Sequence, residues 1–138
     1  MTQMLLLAAG GEEFLLDLNC VRELLAFEGV TPVPAVPGWF AGLVVVRGEL
    51  IAAVDFAILL GRQPIALSAV TRVVVLGGEA AEFALLAEAA EELRTIDEQA
   101  LQPAPPRFES CGLVRGAAAD GKVVLAGKVL LEDKRIYA

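Results

Sequence analysis

The polar groups that could do chemistry in this 138-residue chain are few, and they do not form a catalytic set. The chain contains no histidine, which removes the commonest general base and the usual partner of a serine or cysteine nucleophile. Neighbouring carboxylates could share a proton in an enzyme, but each such pair falls at a predicted turn or element end. We therefore predict solvated charge at Glu12-Glu13, Glu91-Glu92, Asp97-Glu98 and Glu132-Asp133.

The two cysteines are predicted to be buried, unreactive thiols. Cys20 and Cys111 are far apart in the sequence, and a reducing cytosol disfavours the alternative, which is a disulfide between them. A metal site is not expected, because there is no histidine and no closely spaced cysteine pair. The glycine pairs fall at strand ends and indicate turns, not a phosphate-binding loop. We predict no catalytic residue, no metal and no cofactor.

The composition indicates an apolar, acidic, cytoplasmic domain. Hydrophobic residues make up 57% of the chain, and its mean hydropathy is +0.65. No membrane insertion is expected, because the best apolar stretch, 41–60, is interrupted by Arg47, Glu49 and Asp55. The net charge of −7 argues against nucleic acid and against an anionic membrane surface. The apolar area is therefore expected to be buried in a core and, in part, against partner proteins.

Short apolar runs separated by turn residues predict an all-β chain with short helices. Hairpin turns are indicated by Gly10-Gly11, Gly48, Gly77-Gly78 and Asp120-Gly121. The predicted strands cover 3–8, 13–18, 43–46, 50–56, 72–76, 82–87, 112–118 and 122–125.

Helix is predicted at three places. The spacing of Leu18, Val21, Leu24 and Leu25 predicts a short helix that Asn19 could cap. A helical turn over 57–60 is expected to end at Gly61. The alanines and glutamates of 88–93 favour a third helix.

Two parts of the chain repeat the same order of features. A proline-rich segment, a Gly-Leu-Val motif, a glycine turn, an apolar strand and a Leu-Leu pair run from 34 to 60 and again from 103 to 131. The two Gly-Leu-Val motifs begin at Gly42 and Gly112. The prolines exclude central strands and predict extended edge segments. The repeat predicts two similar subdomains, approximately 12–66 and 70–131, the second of which could include the N-terminal strand.

Three motifs, in this order and spacing, resemble the CheW-like domain family. The first, FLLDL at 14–18 followed by VREL at 21–24, is similar to the family's aromatic–x–hydrophobic–Asp–Ile stretch and V-x-E-I. The second, VPAVP at 33–37 followed by GLVVVRGELI at 42–51, is similar to VPN-x-P and G-V-I-N-L-R-G-x-V-I. The third is LQPAP at 101–105. The resemblance covers nearly the whole chain and implies a single domain, 1–138.

The resemblance implies a fold of two small five-stranded β-barrels, CheW-like or SH3-like, around a shared hydrophobic core, with no catalysis. Family members bind the tip of a chemoreceptor helical hairpin and the regulatory domain of the histidine kinase CheA. The chain is therefore expected to be an adaptor of bacterial chemosensory arrays, cytoplasmic and recruited to membrane-associated receptors.

The resemblance also assigns receptor binding to Arg47, Glu23, Val21 and Leu18. Arg47 offers a planar fork of donors to a partner, and the alternative is a turn arginine that bonds nearby carbonyls. Glu23 is expected near Arg47, and the alternative is a solvated helix carboxylate. Core packing is an equal alternative for Val21 and Leu18.

Four further residues lie at predicted turns or corners of the chain. Gly48, Pro34 and Pro37 are interpreted as structural turn residues. Trp39, the one tryptophan, is either a buried corner residue or an anchor for a partner.

The second half departs further from the family pattern than the first, which leaves two other functions open. One is a coupling protein of a pilus or other non-flagellar chemosensory system. The other is a ligand-binding sensory module that uses an apolar groove on the same scaffold.

Overall fold

The computed structural model describes residues 1–77, 82–108 and 112–131, and it is mostly β with short helices, as predicted. The strands are β1 (Thr2–Ala9), β2 (Glu12–Asp17), β3 (Val21–Ala26), β4 (Phe40–Val46), β5 (Glu49–Asp55), β6 (Arg72–Gly77), β7 (Glu82–Ala87), β8 (Ala89–Ile96), β9 (Val114–Ala117) and β10 (Val123–Leu125). The two α-helices are α1 (Phe56–Leu59) and α2 (Gly127–Leu131). Three 3₁₀ turns lie at Leu18–Cys20, Glu98–Ala100 and Pro106–Phe108.

The strands form two five-stranded sheets. Their orders are β8-β1-β2-β10-β9 in sheet A and β3-β6-β7-β5-β4 in sheet B. Within the described ranges no backbone ladder joins the two edge strands of either sheet, so the predicted closed barrels remain a prediction.

The two halves of the chain exchange their first hairpins. Each half supplies a hairpin, then a crossover to the other sheet, then three strands and a short helix. Sheet A thus combines hairpin β1-β2 with β8, β9 and β10, and sheet B combines hairpin β6-β7 with β3, β4 and β5. The parallel pairs β2-β10 and β5-β7 join each hairpin to the strands of the other half. The sheets therefore divide the chain differently from the predicted subdomains 12–66 and 70–131, although β1 does pair with the second half.

The predicted hairpins are present as strand pairs, although residues 78–81 of the predicted Gly77-Gly78 turn lie outside the described residues, and two predicted helices are wrong. Strands β1-β2, β4-β5, β6-β7 and β9-β10 pair as antiparallel neighbours. Residues 21–26 form strand β3 instead of a helix, and Asp17, not Asn19, caps the 3₁₀ turn before it. Residues 89–96 form β8 along β1, so pairing in the sheet overrides the helix preference of alanine and glutamate. The helical turn before Gly61 is confirmed as α1.

The main hydrophobic core draws on both sheets. It takes buried side chains from both, among them Phe14 of β2, Phe83 of β7 and Leu130 of α2. Phe14 packs edge to face on Phe56 and on Phe108, with ring centroids 5.4 and 5.9 Å apart. Because the hairpins are exchanged, neither half can bury its apolar face without the other.

The two proline segments run along the sheet edges at equivalent places. Thr31 makes an isolated antiparallel bridge to Leu43 of β4, and Gln102 makes one to Ala117 of β9. In each case the residue before the bridged one is a glycine, Gly42 or Gly116. The structural repeat therefore matches Gly42 with Gly116, and the proposed match with Gly112 is wrong.

Ala35 occupies a left-handed backbone conformation, with φ of 59°. It follows Pro34 in a turn whose second central residue favours glycine or asparagine. Asparagine is what the VPN motif of the resembling family has there. Ala35→Gly is expected to raise the free energy of unfolding by about 0.5–1 kcal/mol, because it removes this strain. Urea unfolding followed by Trp39 fluorescence measures the change.

The matched control is Ala26→Gly on the exposed edge of β3, where φ is not positive. That variant should lower the free energy of unfolding by about 0.5–1 kcal/mol, since glycine only adds freedom to the unfolded chain. If both variants shift stability in the same direction, backbone strain at Ala35 is not significant.

Candidate functional site

Arg47 and Gly48 form the two-residue turn between β4 and β5. Their φ angles are 52° and 77°, and Val46 pairs with Glu49, which defines a type I′ hairpin turn. Gly48 is therefore a turn glycine. An arginine in the left-handed region is unfavourable by about 1 kcal/mol or more, and such strain is concentrated at functional sites. The turn presents the Arg47 side chain, 48% exposed, at the end of the hairpin.

Glu23 forms an ion pair with Arg47, so the structure brings together two of the predicted site residues. Glu23 lies on β3 and Arg47 follows β4, and these are the two edge strands of sheet B. The sheet must curl for its edges to meet in this way. Glu23 is therefore not a solvated helix carboxylate, but a strand residue with its side chain 30% exposed.

Exposed apolar side chains lie close in sequence to this ion pair. Val45 and Leu50 face each other across the β4-β5 hairpin and are 67% and 60% exposed, and Leu24 beside Glu23 is 41% exposed. Between the same edge strands lies a cavity of about 500 Å³, lined by Leu25, Ala26, Glu28, Gly29, Val30, Thr31, Leu43, Val44, Val45 and Val73. An arginine fork with apolar neighbours is typical of a protein-binding surface. We define Glu23, Leu24, Val45, Arg47 and Leu50 as the edge site.

The other predicted site residues lie against the core. Leu18 and Val21 are half-buried and pack on the main cluster, so their side chains serve the fold whether or not they also meet a partner. Trp39 also packs on this cluster, and its carbonyl accepts a hydrogen bond from the Asp55 amide at 2.8 Å.

The two singled-out prolines shape the segment before β4. Pro34 lies in the turn with Ala35, and the Pro37 carbonyl accepts a hydrogen bond from the Phe40 amide at 3.0 Å. Both are exposed, which fits their interpretation as structural turn residues.

A second cluster of charged groups was not predicted. Glu12 at the start of β2 accepts two hydrogen bonds from Arg107, at 2.9 and 3.3 Å, and pairs with Arg62 at 2.6 Å. Both guanidinium groups lie over the ring of buried Phe108, 4.9 and 5.3 Å from its centroid. The prediction of solvated charge at Glu12 is therefore wrong, whereas Glu13 is exposed. Nothing in the spacing of these residues could have indicated their meeting.

This cluster should make the fold sensitive to acid. Burial acts to raise the pKa of Glu12, but the hydrogen bond from Arg107 and the charges of Arg62 and Arg107 outweigh it and lower the pKa. A lowered pKa in the folded state adds stability above the unfolded value, about 4.3, that is lost as the pH falls through the folded value. Glu12→Gln is expected to cost about 1 kcal/mol at pH 7 and to match the parent chain at strongly acidic pH.

Urea unfolding between pH 7 and pH 3 measures this difference. The control is Glu13→Gln, because Glu13 is more exposed and has only a 3.5 Å ion pair with Lys122. It should change stability by less than about 0.5 kcal/mol at any pH. An equal loss in the two variants would show that general charge, not the Arg62–Arg107 cluster, is responsible.

The structure gives sheet A its own ion pair between edge strands. Arg94 of β8 donates to Asp120, which lies in the turn between β9 and β10, at 3.1 Å. In sheet B the acidic residue, Glu23, lies on the edge strand and the basic residue, Arg47, lies in the turn. In sheet A the basic residue lies on the edge strand and the acidic residue lies in the turn. The hydrogen bond from the Lys122 amide and the charges of Lys122 and Arg94 lower the pKa of Asp120. The equivalent hairpin turns of the two sheets therefore carry opposite charges, Arg47 in sheet B and Asp120 in sheet A.

The potential metal ligands and the cysteine among the described residues do not form a recognisable metal or nucleophile site. No group of three or more potential metal ligands occurs in 1–77, 82–108 and 112–131. Cys20 is a buried free thiol whose pKa is raised, first by burial and then by the charge of Asp17; Cys111 lies outside the described residues. In that same part of the chain, no helix has the length and apolar character needed to cross a membrane.

The chain belongs to the CheW-like domain family, whose sequence profile matches residues 3–129. In fold, the chain is similar to the scaffolding protein TtCheW from Thermoanaerobacter tengcongensis, with a TM-score of 0.77, 24% identity, and coverage of 90% of this chain and 86% of that one.

Curated relatives have similar sequences. The chain is 27% identical over 96 residues to the chemotaxis protein CheW of Rhizobium meliloti and to a probable chemotaxis protein CheW of Rhizobium etli. It is 21% identical over 103 residues to the chemotaxis protein CheW of Klebsiella aerogenes. These alignments cover 70–75% of this chain and 62% of each relative, so they span less than two thirds of the relatives' length.

Proposed function

We propose that this chain is a cytoplasmic adaptor that couples chemoreceptors to the histidine kinase CheA within membrane-associated receptor arrays. The observation that carries the proposal is the edge site. There Arg47 and Glu23 form an ion pair between the two edge strands of sheet B. Leu24, Val45 and Leu50, close to them in the sequence, are exposed. In this proposal a receptor hairpin would lay apolar side chains against the edge site. Apolar contact with the hairpin and one oriented guanidinium fit such a partner.

The exchanged hairpins support a signalling role without chemistry. Each sheet contains strands from both halves, so a force applied at one sheet is transmitted to the other through a shared, close-packed core. The end of sheet A, with Asp120 and Arg94, offers a second surface of different charge pattern for the kinase. A coupling protein needs two separate binding surfaces on one folded domain.

Co-sedimentation tests the proposal. The purified chain is mixed with vesicles that carry a receptor cytoplasmic domain, with and without CheA, and the pelleted fraction is measured. Pelleting with receptor alone, and recruitment of CheA only when the chain is present, are expected. If the chain pellets with neither protein at concentrations of tens of micromolar, about the weak limit for array contacts, the adaptor function is wrong.

The alternative function, binding of a small molecule, would use the cavity between β3 and β4. The side chains that line it are mainly aliphatic, and the polar ones are those of Glu28 and Thr31, both exposed. Small-molecule sites usually need several convergent polar groups. This surface therefore favours a protein partner.

A further inference from the structure

The outer edge of β8 in sheet A is open. β8 is an edge strand, and of the described strands it pairs only with β1. Its middle residues reach solvent, because Leu93 is 52% exposed and the side chains of Glu92 and Arg94 are 58% and 33% exposed. Thr95 is exposed as well. A strand edge of this kind can pair with a strand of another chain.

The register of the β1-β2 hairpin shows how the main chain of β1 is directed. Ala9 and Glu12 flank a two-residue turn, so they exchange hydrogen bonds with each other. Because the direction alternates along a strand, the main-chain groups of Ala8, and of every second residue before it, are directed at β8. The Ala8 carbonyl does accept a hydrogen bond on that side, from the Glu88 amide at 2.7 Å.

The main-chain groups of Leu93 are therefore directed at the open edge. Met4 and Leu6 are two of the β1 residues directed at β8, and they stand opposite Arg94 and Glu92. These opposed residues form the hydrogen-bonded pairs of the β1-β8 ladder. Leu93 lies between them in the strand, so its amide and carbonyl are directed away from β1 and can bond to an added strand.

The sequence of this edge is complementary to itself. In an antiparallel pair of two β8 strands with Leu93 opposite Leu93, Glu92 of each copy stands opposite Arg94 of the other copy. Glu92 and Arg94 lie two residues apart and share a face of the strand, so the four charges of the pair alternate in sign. Charged side chains often protect a strand edge against pairing, but charges in this order favour pairing of the edge with itself.

We propose that two copies of this chain associate through β8, antiparallel, with the two-fold axis at Leu93. The two Leu93 residues exchange a pair of main-chain hydrogen bonds, because both are directed at the open edge. Their side chains meet on one face of the strand pair, and the two Glu92–Arg94 pairs lie on the other face. The two five-stranded sheets A then form one continuous sheet. The surface patch is the same on both copies, as a two-fold interface requires.

Association through β8 would compete with a partner at the end of sheet A. Arg94 bonds to Asp120 there, and the proposed function gives that end to the kinase. Self-association and kinase binding would then exclude each other, and the dimer would be a reserve form of the adaptor. This consequence rests on the proposed function. The dimer itself does not, and its tests use this chain alone.

Disulfide capture tests the register in the full chain with Cys20→Ala and Cys111→Ala. Leu93→Cys is expected to form a covalent dimer under mild oxidation, because opposed residues of a hydrogen-bonded pair have Cα atoms about 5.5 Å apart, which suits a disulfide. Thr95→Cys is the matched control, since Thr95 is exposed too but its two copies would lie about 14 Å apart. Leu93→Cys should cross-link at least about tenfold faster. Equal rates, or no covalent dimer of Leu93→Cys, would overturn the proposal.

Charge reversal gives a second test, measured by sedimentation equilibrium, that needs no new cysteine. Glu92→Arg and Arg94→Glu each place like charges opposite each other twice in the dimer, so each should weaken association at least about tenfold. An equimolar mixture of the two variants should form dimers again, because each charge then stands opposite one of the other sign. A mixture that associates no better than the separate variants contradicts the register, and a parent chain that stays monomeric at millimolar concentration contradicts the dimer.

Discussion

Arg47→Glu is expected to abolish co-sedimentation with receptor and kinase while the circular dichroism spectrum stays native. Interface arginines of this kind contribute about 2 kcal/mol or more, which is a loss of at least about thirtyfold in affinity. The fold should survive, because Arg47 is 48% exposed and lies in a turn. Placing a glutamate beside Glu23 should reduce stability by no more than about 1 kcal/mol.

An exchange of the two charges separates a binding role from a structural one. The double variant Glu23→Arg with Arg47→Glu restores an ion pair between the edges of sheet B. If the ion pair matters only because it holds β3 to β4, the double variant should regain binding. We expect it to regain stability but not binding, because the guanidinium is then attached to the strand instead of the hairpin turn. Recovery of full co-sedimentation would remove Arg47 from the interface.

A charge reversal of the same size elsewhere provides the control. Arg94→Glu acts on the ion pair of sheet A, which has similar exposure and the same place at the edge. It should leave receptor binding by the edge site intact. Loss of receptor binding in both variants would indicate that charge in general, or the stability of the sheets, governs the interaction.

The local parts of this fold were predictable from the sequence, because their causes are local. Gly10-Gly11 and Asp120-Gly121 demand turns, and the apolar runs beside them are too short for anything but hairpins. The helix predicted over 88–93 is wrong. Alanine and glutamate favour helix in isolation, but the ladder that fixes these residues as a strand is formed with β1, far away in the sequence. The exchange of hairpins also depends on pairing between residues far apart in the sequence, so no local pattern encodes it.

The candidate site divides in the same way. The turn at Arg47 follows from Gly48 and its flanking strands, but the contact with Glu23 depends on the curl of a whole sheet. Only the resemblance to the CheW-like family placed the two together. The cluster of Arg62, Arg107 and Glu12 joins three distant segments, and neither spacing nor resemblance indicated it.

Gly42→Ala is expected to have the largest effect on stability of any single change considered. A Cβ at this position would collide with the Thr31 carbonyl and with Val30, and the φ of 137° is unfavourable for any side chain. The collision is with backbone, so it cannot be relieved by a rotamer change. We expect a loss of about 3 kcal/mol or more, a large part of the stability of a small domain.

Gly29→Ala is the matched control, because its φ is 116° but a Cβ there would meet no atom within 4 Å. That variant should lower the free energy of unfolding only by the cost of the unfavourable φ, about 1–2 kcal/mol. Urea unfolding of both variants separates the clash from the strain, and equal losses would contradict a close approach of the proline segment to β4. The structural repeat predicts a similar clash at Gly116, because a Cβ there would lie 2.7 Å from the carbonyl oxygen of Gln102. Gly116→Ala should therefore lose stability through the clash alone, less than Gly42→Ala, because the φ of Gly116 is not in the left-handed region.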